Sequence, residues 1–505
     1  MYNNCIYIPI HENNRYEVRC LKLSKLLDGV KIIKYTGDLD KEIEGITYDS
    51  RQAKKNYLFI CIKGQVSDGH DYIDNAIENG AVALLVNRPV EKENMTIVQV
   101  ENTRIAMPVI AANFYGNPSE RLKLIGITGT NGKTTTTYLI KSILNEARKK
   151  TGLIGTISID LGNVKIESSR TTPESLDLQR IFYQMDSQGI EYCVMEVSSH
   201  SLDFGRVELC TFQIGVFTNL TQDHLDFHGN FDNYRKAKEK LFYKTKKANI
   251  INIDDENGRL IYKNIKHLNV PVFTFGIDEK ADIMAKDIKM DDNGIKFRLV
   301  TPKYETIIAS SIPGKFSVYN VLAAASVAYA EGIDKDIIVK GIEDIKHVPG
   351  RSEVMQIDKP YKIIIDYAHA PDGLENILKS IKHYAKGRII TVFGCGGDRD
   401  KTKRPIMGKI AGRLSDFVII TSDNPRSENP FNIIYQIEEG IKSTKCPYIC
   451  IENRRDAIKY AMMMAKDSDI ILLAGKGHET YQVLKDKTID FDERVIVREL
   501  IQEGI

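Results

Sequence analysis

Short apolar runs recur along the chain, and each run ends in a cluster of polar residues. Helix-like segments separate most of these runs. A strand that is apolar at every position is buried on both faces, so the pattern predicts parallel sheets covered by helices, which is an α/β fold. The predicted strands are Leu122–Ile127, Tyr192–Met195, Ile214–Phe217, Lys362–Ile365, Ile389–Phe393, Phe417–Ile420 and Ile470–Leu473. Ligands bind beyond the carboxyl ends of strands in such sheets, so the polar clusters at these ends favour an enzyme.

The polar segment after the first predicted strand, residues 126–134, has the composition of a phosphate-binding loop. Its glycines allow the backbone to direct N–H groups at an anion, Lys133 supplies a point charge, and the Thr134 hydroxyl is suited to Mg²⁺. Ile127 occupies the position at which the usual G-x-x-x-x-G-K-[ST] pattern has its first glycine. A helix-like run follows and continues to about Lys150. The strand before the loop and the helix after it predict nucleotide binding.

The composition indicates a globular chain of several domains. At 505 residues the chain is too long for one core, and 42% hydrophobic with 27% charged residues is typical of a globular protein. Two breaks, at Met107–Pro118 and His347–Arg351, predict three domains over residues 1–112, 113–346 and 347–505. The central domain would carry the nucleotide.

Charge and hydropathy limit the possible partners. The 70 basic and 68 acidic residues leave a net charge of +2, so no overall field would attract nucleic acid or a membrane surface. The longest apolar runs have the length of strands, and Met1–Arg19 lacks the apolar core of a signal peptide. We therefore expect a cytoplasmic protein without membrane insertion.

The eight cysteines are sparse and include no C-x-x-C pair, which favours reduced thiols over disulfides or zinc. They are Cys5, Cys20, Cys61, Cys193, Cys210, Cys395, Cys446 and Cys450. Cys446 and Cys450 flank a Pro-Tyr-Ile segment, and we interpret them as the ends of a buried strand.

Glu196 ends a predicted buried strand downstream of the phosphate loop. An acid at this position is where a nucleotide-hydrolysing enzyme places a Mg²⁺ ligand, whereas the alternative is a solvated carboxylate. Ser198, Ser199 and His200 follow at once, which favours a functional role. A serine hydrolase is disfavoured because no G-x-S-x-G elbow surrounds Ser199.

Residues 223–228, Asp-His-Leu-Asp-Phe-His, are rich in side chains that bind metals. The following Gly229 and Asn230 favour a loop, and no third ligand with zinc-type spacing is evident. The next helix-like segment, Asn233–Lys240, has the pattern of a charged face in contact with solvent, and this interpretation applies to most of its lysines.

The polar clusters of the last third are basic and rich in glycine. Four cationic residues closely follow the Gly-Cys-Gly-Gly segment at 394–397: Arg399, Lys401, Lys403 and Arg404. Cations of this kind are suited to binding phosphates or carboxylates. In residues 423–428 a carboxylate, an amide and a guanidinium surround a proline-stiffened turn. This set is suited to a zwitterion, although a turn that satisfies its own polar groups remains an equal alternative.

Together these segments closely resemble the Mur ligases, which add amino acids to the UDP-sugar-linked peptide of bacterial cell-wall precursors. Within that family the chain is most similar to the tripeptide synthetases, which add the third residue. The Asp-Asn-Pro-Arg segment at 423–426 resembles the signature of the branch that adds meso-2,6-diaminopimelate. The resemblance covers nearly the whole chain through Tyr48–Arg51, Gly129–Thr134, Glu196–His200, Asp223–His228, Val318–Asn320, Gly350–Arg351, Asp366–Asp372 and Gly475–Glu479.

The resemblance implies a three-domain fold with a central ATPase domain of mostly parallel sheet and a Rossmann-like C-terminal domain. It also implies roles for individual residues. ATP would be bound by Gly129, Thr130, Asn131, Gly132, Lys133, Thr134, Asn320, Arg351 and Asp366. Mg²⁺ would be bound by Thr134, Glu196, His224 and Lys238, the last as a carbamate. The UDP-sugar-peptide would contact Ser50, Arg51, His70, Thr171, Thr172, Ser198 and Arg206. The diamino acid would contact Arg399, Asp423, Asn424, Arg426, Gly475 and Glu479.

The implied reaction is the ATP-dependent addition of meso-diaminopimelate to UDP-N-acetylmuramoyl-L-alanyl-D-glutamate through an acyl phosphate. Lys133 and Lys238 would be catalytic, and His369 is a candidate general base for the attacking amine. The protein would act on small molecules and is expected to be a monomer. Two positions depart from the family pattern, since Phe204 replaces a common Gln and Arg170 a common Asn. The N-terminal twenty residues resemble an extension.

Two other functions remain as alternatives. One is the same type of ligation with L-lysine, another amino acid or a folate acceptor, as in folylpolyglutamate synthetases. The other is a regulatory nucleotide-binding protein, which is disfavoured because Lys133, Glu196, His224 and Lys238 are all present.

Overall fold

A computed structural model describes residues 20–64, 67–291 and 293–505, and its α/β architecture confirms the predicted fold class. Three large sheets follow one another along the chain, with helices on their faces. Cys5 and the N-terminal extension lie outside the described residues.

The N-terminal sheet has five strands in the order β2-β7-β6-β5-β4, parallel except for the β2–β7 pair. Its region comprises β1 Leu21–Lys22, α1 Leu23–Leu26, β2 Ile32–Thr36, β3 Glu42–Ile43, β4 Gly45–Thr47, β5 Tyr57–Ile60, α2 Ile73–Glu78, β6 Ala81–Val86, β7 Thr96–Val100 and α3 Thr103–Tyr115. Short 3-10 helices span Ser50–Gln52, Gly69–Tyr72 and Pro118–Glu120.

The central sheet has 11 strands in the order β11-β10-β9-β12-β8-β13-β14-β15-β16-β17-β18. The strands from β9 to β16 in this order are parallel, and antiparallel strands extend both edges. Its strands are β8 Lys123–Thr128, β9 Thr151–Ile154, β10 Ser158–Asp160, β11 Lys165–Glu167, β12 Tyr192–Glu196, β13 Phe212–Phe217, β14 Thr245–Asn252, β15 Val272–Gly276, β16 Ile283–Asp291, β17 Gly294–Val300 and β18 Glu305–Ser310. Its helices are α4 Lys133–Glu146, α5 Ser175–Ser187, α6 Ser199–Asp203, α7 Leu225–His228, α8 Phe231–Glu239, α9 Glu256–Ile265, α10 Lys315–Glu331 and α11 Lys335–Glu343, with a 3-10 helix at Lys240–Lys244.

The C-terminal sheet has six strands in the order β19-β20-β24-β21-β22-β23, parallel except for the short edge strand β19. Its strands are β19 Glu353–Val354, β20 Lys362–Asp366, β21 Ile389–Phe393, β22 Phe417–Ile420, β23 Tyr448–Cys450 and β24 Ile470–Ala474, followed by the hairpin β25 Tyr481–Val483 and β26 Thr488–Asp490. Its helices are α12 Pro371–Tyr384, α13 Lys403–Leu414, α14 Pro430–Ile441, α15 Arg454–Met464 and α16 Glu493–Gln502.

Helix α4 fixes the phosphate loop against the central sheet. It begins after Gly132, whose φ of 85° lies in the left-handed region that favours glycine. Its apolar face, with Leu139, Ile140 and Ile143, is buried in the same core as β8 and β12. Each such side chain contributes about 1.5–3 kcal/mol of stability on full burial. The loop is therefore anchored at both ends by buried elements.

Three local predictions need correction. Helix α4 ends at Glu146 rather than near Lys150. The segment that contains His224 is not entirely a loop, since Leu225–His228 form one helical turn. Cys450 is exposed in β23, the outermost strand of its sheet, and Cys446 precedes that strand, so these residues are not the ends of a buried strand. Within the described ranges, no helix has both the length and the apolar character needed to cross a membrane.

Candidate functional site

A cleft of about 520 Å³ lies at the carboxyl ends of the central strands β8, β12 and β13 and continues to the end of β20 in the C-terminal region. The polar clusters predicted from the sequence meet here because carboxyl ends of parallel strands share one edge of a sheet. Of the predicted residues, the cleft is lined by Gly129, Thr130, Asn131, Gly132, Lys133, Thr134, Thr171, Glu196, Ser198, His224, Lys238, Asn320, Arg351, Asp366 and His369.

The phosphate loop is held together by hydrogen bonds from its own lysine. Lys133 Nζ donates to the carbonyl oxygens of Gly129 at 3.0 Å and Thr130 at 2.8 Å. Burial lowers the pKa of Lys133, while the Glu196 carboxylate acts in the opposite direction. At Gly129 (φ 150°) a Cβ atom would come within 1.8 Å of Thr218 Oγ1, so only glycine fits. The loop is thus held in one shape with its cationic group at the cleft.

Glu196 lies at the end of β12 and accepts hydrogen bonds on both carboxylate oxygens. Its Oε1 accepts from Thr134 Oγ1 at 3.0 Å and from the Thr156 amide at 2.8 Å. Its Oε2 accepts from Thr156 Oγ1 at 3.0 Å. Thr156 was not identified from the sequence, where it has no motif around it. Arg351 Nη2 also donates to Thr134 Oγ1, at 3.1 Å, from the C-terminal region.

The hydroxyl of Thr134 and the carboxylate of Glu196 form an oxygen pair of the kind that Mg²⁺ prefers. His224, at the start of α7, lines the same cleft, and burial lowers its pKa to about 4, which leaves the imidazole neutral at pH 7. In the part of the chain that the structure describes, no three His, Cys, Asp or Glu side chains group closely enough to hold a metal by themselves. The donor set therefore suits an ion that also binds a phosphate or water.

Lys238 is the buried exception on an otherwise charged helix. It is 1% exposed, its Nζ donates to the Gly129 carbonyl at 2.9 Å, and the ammonium lies 4.4 Å from the Tyr234 ring centroid. Burial, together with the charge of Lys133, places the pKa of Lys238 well below its usual value. The solvated face expected for most lysines of this helix includes Lys236, whereas Lys238 lies on its buried side.

Asn320, Arg351 and Asp366 come from three separate segments around the loop. Asn320 Oδ1 occupies the space that a Cβ of Gly132 would need. Arg351 lies over the Tyr367 ring at 4.7 Å. Asp366 accepts from the amides of Ser352 and Ala368 at 2.7 and 2.8 Å, and burial raises its pKa. The end of β20 is thereby held rigid beside the loop.

A second polar cluster forms where β21, β22 and β24 end. Asn424 Nδ2 donates to Glu479 Oε2 at 2.9 Å, and Gly475 is so close to Asp423 that a Cβ would lie 2.7 Å from Oδ2. Arg426, at φ 52°, donates to the Gly397 carbonyl at 2.7 Å. Arg399 donates to the Asp398 carbonyl at 3.0 Å. The six residues predicted for the diamino acid come from these neighbouring strand ends.

Lys476, which sequence reasoning missed, is completely buried inside this cluster. Its Nζ donates to Glu479 Oε2 at 3.0 Å and Asn424 Oδ1 at 3.3 Å. The signal was available, since the lysine lies between the two predicted residues Gly475 and Glu479. Burial raises the pKa of Glu479, and the lysine opposes that effect.

The residues predicted for the UDP-sugar-peptide fall in two groups. Thr171, Thr172, Ser198 and Arg206 lie beside Glu196, where Thr172 Oγ1 donates to the Glu196 carbonyl at 2.8 Å. Ser50, Arg51 and His70 lie in the N-terminal region and are not among the residues that line the cleft. There Arg51 pairs with Asp49 at 2.6 Å, and His70 Nδ1 lies 2.6 Å from Asp68.

Comparisons with known proteins agree with this arrangement. Three families match consecutive parts of the chain: the Mur ligase family catalytic domain (residues 42–115), the Mur ligase middle domain (127–328) and the Mur ligase glutamate ligase domain (350–477). The UDP-N-acetylmuramoyl-L-alanyl-D-glutamate–2,6-diaminopimelate ligase of Clostridioides difficile is 50% identical over 96% of this chain and 100% of that relative. The chain belongs to the Mur ligase family.

Two further relatives show how far this membership extends. A diaminopimelate ligase of Clostridium acetobutylicum is 52% identical, again over 96% of this chain and its own full length. A solved diaminopimelate ligase structure has 30% identity and a TM-score of 0.67 over 96% of this chain and 99% of that chain. The three-domain Mur ligase architecture therefore applies to this chain.

Within this Mur ligase site, Ser199 pairs with His228, a contact between two motifs that the sequence did not predict. Ser199 Oγ lies 2.9 Å from His228 Nε2, and His228 Nδ1 lies 3.3 Å from Asp203. His200 instead packs against the rings of His224 and Phe227. These groups lie on α6, on α7 and at the residue before α7, so the histidines of the two family motifs form one packed cluster.

Proposed function

We propose that this chain is an ATP-dependent amide ligase that adds meso-2,6-diaminopimelate to UDP-N-acetylmuramoyl-L-alanyl-D-glutamate in peptidoglycan precursor synthesis. The observation that carries the proposal is the presence of two sites: a lysine-closed phosphate loop lines the cleft, and a zwitterion-type cluster that contains Arg426 and Glu479 lies at the strand ends of the C-terminal sheet. An ATPase alone would need only the first.

The first step is the phosphorylation of the dipeptide's reacting carboxylate by ATP. A carboxylate is a poor acyl donor until it is phosphorylated. The loop amides and Lys133 would hold the phosphates of ATP, and they would offset charge on the transferred group. Thr134, Glu196 and His224 would hold Mg²⁺, which neutralises phosphate charge when it is bound. Thr156 keeps the Glu196 carboxylate in place for this role.

Lys238 would contribute as a carbamate, which turns a cation into an anion able to face Mg²⁺. Two observations support this assignment: the amine is enclosed beside the loop, and its environment favours the neutral form that reacts with CO₂. The amine then forms an N–C bond with CO₂ and releases one proton.

The diamino acid would bind at the strand ends of the C-terminal sheet. Arg399 and Arg426 suit its carboxylates, whereas Asp423 and Glu479 suit its ammonium groups. L-Lysine lacks the second carboxylate, so it would leave one guanidinium without its partner. This difference supports diaminopimelate as the substrate.

The attacking amine must lose a proton before it forms the amide bond. His369 lines the cleft, and its Nδ1 lies 2.9 Å from the Tyr367 carbonyl. A carbonyl oxygen only accepts, so Nδ1 carries the proton of the neutral ring and Nε2 is free to take one. Burial lowers the pKa of His369, which keeps it neutral at pH 7. We therefore retain His369 as the proposed general base.

The domain limits 1–112, 113–346 and 347–505, the monomeric state and the cytoplasmic location are also part of this proposal. A cytoplasmic location is consistent with the use of ATP and a nucleotide-linked substrate. Ser50, Arg51 and His70 would hold the UDP end in the N-terminal domain.

ADP release tests the function directly. We expect release only when ATP, the UDP-linked dipeptide and diaminopimelate are all present, together with the amide product in the mass spectrum. Replacement of diaminopimelate by L-lysine should reduce the rate strongly. Equal rates with the two amino acids would overturn the diaminopimelate assignment. ADP release in the absence of both amino acids would overturn the ligase function itself.

A further inference from the structure

One lysine is enclosed within the polar cluster at the ends of β21, β22 and β24. The Lys476 side chain is 0% exposed, and its Nζ donates to Glu479 Oε2 at 3.0 Å and to Asn424 Oδ1 at 3.3 Å. The ring centroids of Tyr481 and Phe491 each lie 5.8 Å from the same nitrogen, within the range of cation–π contacts. Because this ammonium is closed to solvent, it acts on a ligand through its partners rather than by contact.

These contacts occupy only one of the two carboxylate oxygens of Glu479. Oε2 accepts from Lys476 and also from Asn424 Nδ2 at 2.9 Å. No donor of the described residues reaches Oε1, and this oxygen is accessible as part of a side chain that is 14% exposed. One oxygen is thus fixed inside the protein, and the other is left for a donor from outside.

Asp423 shows the same division between its two oxygens. Its Oδ1 accepts from the Asn424 amide at 2.6 Å, whereas no donor of the described residues reaches Oδ2. Gly475, at φ 114°, leaves room beside Oδ2, because a Cβ atom would lie 2.7 Å from it. Two carboxylate oxygens from neighbouring strand ends therefore remain for a cationic group of a ligand.

The charge balance of the cluster depends on the lysine. Burial raises the pKa of Glu479, Lys476 opposes this effect, and the Asp423 carboxylate adds to it. Two neighbouring carboxylates without a cation favour a proton on one of them, and a protonated carboxyl group no longer attracts a cation. Lys476 balances one of the two negative charges and leaves the second for a ligand.

The chemistry of the reaction indicates which group of the diamino acid this second charge would hold. The substrate carries two amino groups, and the one that attacks must be neutral at that step. An ammonium that remains bound to a carboxylate is therefore the other, non-reacting one.

We propose that Lys476 is a positioning residue that fixes Glu479 so that its free oxygen binds the non-reacting ammonium of the diamino acid. Lys476 thereby sets the preference for a diamino over a monoamino substrate without touching either. This inference rests on the proposed function. A monoamino acid would leave the Glu479 and Asp423 carboxylates with one cation between them.

The test compares kcat/KM for meso-diaminopimelate with that for 2-aminopimelate, which keeps both carboxylates but has only one amino group. The ratio of the two values on one preparation does not depend on the fraction that is folded, so a merely structural role would not change it. We expect the wild-type protein to prefer the diamino acid by about 10- to 100-fold, the range of a charge-assisted hydrogen bond. Lys476→Met and Glu479→Gln should each bring the ratio close to one, and the double variant should do no more than either alone.

Lys485→Met is the matched control, because Lys485 is an exposed lysine between β25 and β26, and it should keep the full preference. Equal use of the two acids by the wild-type protein, or a full preference in Lys476→Met, would overturn the inference and leave the ligase function intact. A preference retained by the double variant would do the same, and that variant, which lacks both buried charges, decides if Lys476→Met does not fold. If neither acid supports ADP release by the wild-type protein, the proposed function fails and the inference fails with it.

Discussion

Lys238 differs from the other lysines of α8 because its ammonium group is enclosed beside the phosphate loop. Removal of CO₂ from the wild-type protein should abolish most ligation, since the carbamate would be lost. Bicarbonate should restore the rate. Lys238→Ala should be inactive under both conditions. ADP release in degassed and bicarbonate-supplemented buffer measures this, and intact mass spectrometry at native pH should detect the added CO₂.

The control for Lys238 is Lys236→Ala on the same helix. Lys236 is 63% exposed and pairs only with Asp232 among the contacts described for it. Its replacement should leave both the rate and the bicarbonate response unchanged. Full activity of the CO₂-depleted wild-type protein would refute the carbamate.

Arg426 is held in one position by its left-handed backbone and its bond to the Gly397 carbonyl. Arg426→Ala should lower kcat/KM for diaminopimelate by about 10- to 100-fold, because it removes charged hydrogen bonds to a carboxylate. The KM for ATP should change little, since Arg426 does not line the nucleotide cleft. Steady-state kinetics with each substrate varied in turn measures both effects.

Arg413→Ala provides the comparison for Arg426, because Arg413 is an exposed arginine at the end of α13. It should match the wild-type protein for both substrates. A parallel rise in both KM values for Arg426→Ala would mean that the variant disturbs the fold, and the amino-acid role would then be rejected.

At the scale of elements, the loops before α13 and α14 are joined by a buried ion pair. Arg404, completely buried, donates to both carboxylate oxygens of Glu428 at 2.9 and 3.0 Å and also to the Gly396 carbonyl. Glu428 in turn accepts from the Asp398 amide at 2.6 Å. The pair therefore fixes the two loops that carry Arg399 and Arg426.

This ion pair predicts an acid-dependent stability. The Arg404 guanidinium lowers the pKa of Glu428 from 4.5 to about 2. The stabilisation is therefore complete above pH 4.5 and is lost as pH falls toward 2. Arg404→Met should lower the free energy of unfolding at pH 7 by about 3 kcal/mol. Its stability should also depend less on pH between 4.5 and 2, as urea unfolding at several pH values would measure.

Glu438→Gln is the control for the pH effect, because Glu438 is another glutamate of the same region and pairs with Lys442 at 3.1 Å. It should retain the wild-type acid dependence. An unchanged acid dependence in Arg404→Met would show that Glu428 does not titrate as argued.

The sequence predicted elements better than it predicted contacts. Central strands such as Ile389–Phe393 were predicted at their observed bounds because both faces are buried and every position except Thr391 is apolar. The edge strand β23 was misread, because one apolar stretch does not reveal what covers it. The burial of Lys238 was not evident from the local pattern for a related reason: its neighbours in the chain are solvated, and only the fold brings Gly129 against it.

At the scale of the whole molecule, partners that are distant in sequence determine the site. Thr156 supports Glu196, and Arg104 reaches Glu174 from the N-terminal region. Neither pair has a local sequence pattern, so neither was predicted. The family motifs named many of the residues that share the cleft, such as Lys133, Glu196 and Lys238, whereas the hydrogen bonds that hold them required the fold.

The central and C-terminal regions meet at Asp372, whose Oδ2 accepts from Asn131 Nδ2 at 2.7 Å and Thr221 Oγ1 at 3.1 Å. Because this contact joins the phosphate loop to the region that would bind the diamino acid, its loss would allow the acyl phosphate and the amine to move apart. Asp372→Ala should therefore lower kcat at least about 10-fold, as misplaced reactants do. Glu375→Ala, on the same helix and paired with Lys379 at the surface, should behave as wild type. Equal kcat values for the two variants would show that this contact does not position the reactants.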